Sequence, residues 1–173
     1  NSTGLIRREG IVLLDKAEFR SALSQFATGV TVITTLDDEG KPHSMTANAF
    51  SSICLDPPTI MVCIGHNTNT NGFLKKTQRF GVNILTQDQE ELGVYFAKKV
   101  EDRTGGVDYR YSVGEDQVPA LDGSMVFFGC EVLGTHDYGD HTIYVGMVKE
   151  MRREEPSAPL MFYNSRWYNP AAD

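Results

Sequence analysis

Apolar and polar positions follow two different periods along this chain, and the first switch between them falls at Gly29. Before it, Phe19, Ala22, Leu23 and Phe26 recur at helical spacing behind Asp15 and Glu18, which stand three apart as a capping box does. A helix is predicted over about Lys16 to Ala27, closed by Gly29, with the plain role of covering one end of a sheet. After it, Val30 to Thr35 is dominated by β-branched residues, which fit a pleated strand. Asp37 to Gly40 reads as a turn, and Pro42 to Phe50 as the returning strand. That strand continues through Ser51 to Leu55 and is stopped by Asp56, Pro57 and Pro58, because proline cannot donate to a central ladder. Thr59 to Gly65 is apolar on both faces and therefore predicted to be central.

His66 to Gly72 forms a polar loop, and Thr70 or Asn71 is placed to cap a short helix running through Lys76. Phe80 to Leu85 returns to strand. Thr86 and Gln89 make a second capping box, opening a helix to about Lys98 with Leu92, Tyr95 and Phe96 on its buried side. Glu101 to Ala120 is polar and glycine-rich, a long excursion placed to cover a site. Met125 to Leu133 and Thr142 to Val148 are strands flanking a hairpin connection, Gly134 to His141. Pro156 and Pro159 mark a loop, and Leu160 to Tyr163 is a last strand. Strands dominate, and helices do not alternate with them. The pattern predicts a mainly β, closed antiparallel, Greek-key-like barrel with a few peripheral helices. It excludes a doubly wound parallel sheet, and no GxGxxG follows any strand.

The 173 residues suit one domain spanning 1–173 with its core at about 15–168. With 23 acidic against 16 basic residues the formal charge is −7, which disfavours nucleic-acid backbones but leaves room for a small phosphate-binding pocket. No apolar run reaches the ~18 residues of a membrane helix, and the N-terminal stretch lacks the apolar core of a secretion signal. Cys54, Cys63 and Cys130 are odd in number, lie in apolar runs and match no zinc spacing, so buried free thiols in a reducing, cytoplasmic setting are expected.

No GxSxG elbow supports nucleophilic hydrolysis. His136, Asp137, Asp140 and His141 crowd one loop, but acidic residues there are ordinary turn chemistry, and no metal site is assigned. Ser44 to Asn48 offers hydroxyl, amide and bare backbone groups to a flat ligand, or is simply a half-exposed strand. Asn67 to Thr70, ahead of a helix, offers a phosphate cradle from amides and hydroxyls, or is simply a cap loop. On spacing alone Tyr95 and Phe96 belong to the core.

Five segments occur in order: Phe26-Ala-Thr-Gly-Val-Thr-Val-Ile-Thr-Thr35; Ser44-Met-Thr-Ala-Asn-Ala-Phe-Ser-Ser52 with Leu55-Asp-Pro-Pro58; Phe80-Gly-Val-Asn-Ile-Leu85 with Gln89; Gly139-Asp-His141; and Pro159-Leu-Met-Phe-Tyr163. This series resembles the short-chain flavin reductases that serve two-component flavin monooxygenases, the group containing the phenol and 4-hydroxyphenylacetate hydroxylase reductases. The likeness runs from about Asp15 to Tyr168. It implies a split β-barrel FMN-binding fold, usually a homodimer, in which NADH or NADPH reduces FMN or FAD that then leaves for a separate monooxygenase. An FMN-retaining electron-transfer protein on the same fold is the alternative. By motif position the resemblance implies that Met45, Thr46, Asn48 and Ala49 line the isoalloxazine edge and that Cys63, Ile64 and Gly65 border the flavin. It further implies that Asn69 and Thr70 meet the phosphate, that Tyr95 and Phe96 close one side, and that His141 contacts the nicotinamide nucleotide as the one catalytic position. Ala49 stands where many members carry Ser, and His66 and Asn69 where Lys, Arg or Ser often grip phosphate.

Overall fold

A computed structural model describes residues 6–8, 11–114, 116–155 and 157–168; Pro156, expected in a loop, lies outside them. The elements are β1 (Ile6–Arg8), β2 (Ile11–Leu13), α1 (Lys16–Leu23), β3 (Thr28–Gly29), β4 (Thr31–Leu36), β5 (Pro42–Ala47), β6 (Phe50–Leu55) and β7 (Pro58–Gly65). There follow α2 (Asn69–Thr77), β8 (Arg79–Ile84), α3 (Glu90–Ala97), β9 (Tyr111–Val113), β10 (Pro119–Leu121), β11 (Val126–Tyr138), β12 (His141–Arg153), β13 (Met161–Tyr163) and β14 (Arg166–Tyr168). Every ladder between these strands is antiparallel.

The main sheet has the order β5-β4-β8-β11-β12-β7-β6. Laid flat, seven strands at ~4.8 Å spacing would put β5 and β6 about 29 Å apart. Yet only Asn48 and Ala49 separate the end of β5 from the start of β6, a reach of about 10 Å at most. The sheet must therefore curl until its edges meet. Since β5 and β6 run in the same direction, they form one bent strand that pairs with β4 before the bend and with β7 after it. The result is a closed barrel with a split where the strand changes partner, so the predicted barrel is the observed one.

Alternation along the strands fills the interior with Ile33, Ile60, Val62, Ile64, Phe80, Val82, Cys130 and Tyr144, and Leu74 of α2 plugs one mouth. Outside the barrel, Val30 and Val32 of the β4 region meet Leu85, Leu92, Phe96, Leu121 and Leu160 beneath α3. This is why β4 is buried on both faces. Asn83, fully buried, ties these layers together: its amide donates to the Val32 carbonyl (2.9 Å) and to Thr34 Oγ1 (3.2 Å), and its carbonyl accepts from Leu121 N–H (2.7 Å). Asn83→Leu keeps the volume but orphans the Leu121 N–H. Urea unfolding is expected to show a loss of about 2–3 kcal/mol, and an unchanged midpoint would contradict this assignment.

Several boundaries differ from the sequence expectation. Helix α1 ends at Leu23 with Ser24 as its C-cap, not at Gly29, and none of its residues is buried. The cap of α2 is Thr68, whose hydroxyl accepts from the Asn71 N–H, rather than Thr70 or Asn71. The Gly134–His141 connection is instead mostly strand: β11 and β12 pair out to Tyr138 opposite His141, leaving a turn of Gly139 and Asp140 with Gly139 at φ 58°. Backbone pairing sustains this ribbon although its side chains are polar. The last hairpin, β13–β14, extends beyond the predicted final strand. Among the cysteines only Cys130 is buried, where burial pushes its thiol up to about 12; Cys63 is half-buried and Cys54 lies exposed on β6.

Candidate functional site

Three cavities lie end to end along the bent strand. The largest, about 550 Å³, sits at the split and is lined by Phe26–Gly29 and Thr31 on one side and Asn48–Phe50, Met61 and Cys63 on the other. A narrower one of about 170 Å³ adjoins it at Asn48 and takes Val30, Thr46, Ala47, Ala97, Phe162 and Trp167. The third, about 320 Å³, adjoins at Ala97 and is lined by His43, Met45, Asn67–Thr70, Lys98, Lys99, Glu101 and Arg103. They form a trough, apolar at one end and cationic at the other.

The β7 pleat explains the apolar end. Ile60, Val62 and Ile64 point into the barrel, so Met61 and Cys63 point out and floor the groove. As its apolar pattern predicts, β7 is a central strand, paired with β12 on one edge and β6 on the other. At the bend the backbone switches ladders: Cys63 N–H donates to the Ala49 carbonyl (3.0 Å), while the Thr31 hydroxyl donates to the Ala47 carbonyl. Thr46 donates to the Gly93 carbonyl of α3 (2.7 Å), fixing the helix over the strand. Thr28 Oγ1, enclosed on the groove wall, has no partner among the described residues.

The cationic end is built by the chain after α3. Arg103 folds back so that its guanidinium donates to the carbonyls of Ser44 (2.8 Å), Phe96 (3.4 Å) and Lys98 (3.2 Å) and lies over the Tyr95 and Phe96 rings. Tyr109 and Tyr111 extend this aromatic cluster, and Tyr111 OH meets Ser44 Oγ at 2.6 Å. Burial, the largest influence, pushes the Tyr111 phenol up to about 12. The excursion at Glu101–Ala120 thus does flank a cavity, contributing Glu101 and Arg103. Among the described residues no carboxylate lies within ion-pair distance of Lys98, Lys99 or Arg103.

Of the residues singled out in the sequence, Met45, Thr46, Asn48, Ala49, Cys63, Asn69 and Thr70 all line this trough. Gly65 stands just beyond it, opposite His141 across the β7–β12 ladder, and a Cβ there would lie 3.2 Å from Asn67 Oδ1 and 3.6 Å from His141 Nε2. His141 is exposed, with Nδ1 2.7 Å from Asp140 Oδ1, and lies outside the three cavities. This hydrogen bond holds the Asp140 carboxyl below its ordinary range. Ile64 and Phe96 turn their side chains into the core, Ile64 in the barrel and Phe96 under α3, because the pleat and the helix turn each inward; for Phe96 this is where its spacing puts it. Tyr95 is half-buried in the cluster that supports Arg103. His43, Lys98, Lys99, Arg103, Phe26 and Trp167 escaped the sequence reading. The one signal for the cations was their density, three of the chain's 16 between positions 98 and 103.

The fold and trough together define a split-barrel protein with a long groove, apolar at one end and cationic at the other. Residues 23–171 match the flavin reductase like domain, and the chain belongs to that family. It is 35% identical over 165 residues to the NADH-dependent flavin reductase StyB of Pseudomonas fluorescens, covering 94% of this chain and 95% of that protein. The solved styrene monooxygenase flavin reductase of Pseudomonas putida S12 superposes with TM-score 0.79 at 36% identity, over 88% of this chain and 97% of the other. The NADH:FAD oxidoreductase of Streptomyces globisporus C-1027, solved with NAD and FAD fragments, gives 0.80 at 31% identity, over 92% and 96%.

Proposed function

We propose that this chain is an NADH-dependent flavin reductase, an oxidoreductase of the NAD(P)H:flavin type, that supplies reduced flavin to a separate monooxygenase component. The observation that carries this reading is the trough itself, apolar at the split and cationic beside α2, in a chain of net charge −7. Flavin fits these residues: the apolar walls suit a tricyclic ring, the unpartnered Thr28 hydroxyl offers a contact, and Lys98, Lys99, Arg103 and the first turn of α2 suit its phosphate. When bound, flavin supplies the hydride-accepting chemistry.

The chain's own part is binding, orientation and exclusion of water. Asn48 and Ala49 present the bend to the ring, and Cys63 and Met61 floor it with atoms that carry no charge near neutrality; burial raises the Cys63 thiol further. Arg103 buttresses the phosphate end from behind. His141, held by Asp140 on the β11–β12 turn, orients the nicotinamide nucleotide and carries no essential proton. His141→Ala is expected to raise KM for NADH about tenfold while single-turnover flavin reduction survives at saturation; its complete loss would overturn this role.

A homodimer in the cytoplasm accompanies this reading. Leu55 is 92% exposed and Phe26 78%, and α1 has no buried residue, so much apolar surface is left for a second copy. The free thiols are consistent with a reducing compartment. The deciding experiment is a steady-state assay of NADH and NADPH against FMN, FAD and riboflavin. Rapid NADH oxidation with flavin in excess is expected. A tightly yellow protein without NADH consumption would favour the FMN-retaining electron carrier.

A further inference from the structure

The cationic cavity contains a histidine to which the reduction chemistry assigns no role. His43, half-buried on β5, sets its Nε2 2.9 Å from Thr70 Oγ1 and packs edge-to-face on Phe73 of α2, ring centroids 4.9 Å apart. Thr70, in the first turn of α2, is itself buried, so its hydroxyl holds His43 against that turn. The charged groups around His43 come from two sides: Asp37 from the β4–β5 turn, and Arg103 with Lys98, Lys99 and Glu101 across the cavity. Burial, then Arg103, brings the imidazole down to about 4, with Asp37 opposing weakly. It is neutral at pH 7 and offers a single ring N–H.

We propose that His43 and Thr70 form the pair that distinguishes a phosphate-bearing flavin from riboflavin, His43 taking up a proton as the phosphate enters and becoming a further cationic donor to it. The inference rests on the flavin reading above and adds the means of its selectivity. An anion in this cavity reverses the repulsion from Arg103, whereas the uncharged ribityl alcohol of riboflavin does not. The sign follows from proton counting. The free protein holds His43 deprotonated until about pH 4, and the complex holds it protonated to a higher pH. Affinity for the phosphorylated ligand therefore rises as pH falls between those values, by at most about tenfold per pH unit, and is flat above the higher one. FMN's own second phosphate ionisation, near pH 6, acts in the opposite direction. The FAD pyrophosphate does not titrate there, so both ligands are compared.

The test follows the ring signals of the four histidines by NMR from about pH 4 to pH 8 in the full chain, free and saturated with FMN, FAD or riboflavin. His43→Gln assigns the His43 signal, and flavin fluorescence gives dissociation constants for both proteins. The His43 midpoint is expected to rise by about 2.5 units with FMN or FAD and to stay put with riboflavin. Preference for FAD over riboflavin should be about tenfold greater at about pH 5.5 than at about pH 7.5, and His43→Gln should abolish that slope. Saturable FMN or FAD binding with no histidine signal rising from its low midpoint would overturn the inference and leave the flavin reading standing. That result can be read from the native chain even if the variant fails to fold. Absence of saturable binding by any flavin would overturn both.

Discussion

Gly81→Ala is expected to remove about 3 kcal/mol or more of stability, a large share of the 5–15 kcal/mol that a domain of this kind commands. Gly81 sits mid-strand in β8, opposite Thr34 on β4 and Gly129 on β11. A Cβ there would stand 2.2 Å from Thr34 Oγ1, 2.7 Å from the Phe127 ring and 3.1 Å from the Pro119 carbonyl. None of these can yield cheaply. Thr34 donates to that same Pro119 carbonyl and accepts from Asn83, so displacing it breaks the buried network that joins β4, β8 and β10. The cost combines overpacking with orphaned polar groups. Urea unfolding should show a lower midpoint at unchanged slope. Gly106→Ala serves as control, since a Cβ there meets nothing within 4 Å; its effect should stay within about 0.5 kcal/mol. Equal midpoints for the two variants would refute the close packing described at Gly81.

Ala97→Trp is expected to weaken flavin binding by about 100-fold, equivalent to about 2.7 kcal/mol, while leaving the fold intact. Ala97 is the residue shared by the narrow and the cationic cavities, where α3 ends, and it is exposed. An indole there occupies the passage between the ring and phosphate ends of the trough without entering either core cluster. Both KM for flavin and its direct dissociation constant should rise, with little change in turnover at saturation, because the substitution removes ground-state binding. The melting temperature should move by no more than a few degrees, as for other surface changes. Unaltered flavin affinity in a folded Ala97→Trp chain would show that the ligand does not run through this passage.

The elements were legible wherever period and punctuation agreed. The β-branched run at β4, the proline stop after Leu55 and the Thr86–Gln89 box, in which Gln89 Oε1 accepts from the Thr86 N–H at 3.2 Å, all read directly. Gaps and errors cluster where one residue pattern serves two purposes. The apolar pattern of β7 marks a central strand, as observed, but does not show that its outer face floors a groove. The polar tip of the β11–β12 hairpin looked like loop, but ladder pairing does not require apolar side chains. Ile64 carries a motif position, yet the pleat turns it away from the trough that Cys63 faces.

Local chemistry therefore carried the strand and helix order and the antiparallel class, because each depends on neighbours within a few positions, whereas seven of the trough-lining residues came from the resemblance of the motifs. Assembly of the trough depended on contacts between distant segments. Arg103 reaches Ser44 across 59 positions, Phe26 and Cys63 face one another only after the sheet closes, and His43 meets Thr70 only because α2 plugs the barrel mouth. The bend at Asn48 and Ala49 is the physical cause. By forcing one strand to pair with both β4 and β7 it closes the barrel, opens the split, and brings residues together that no local pattern connects.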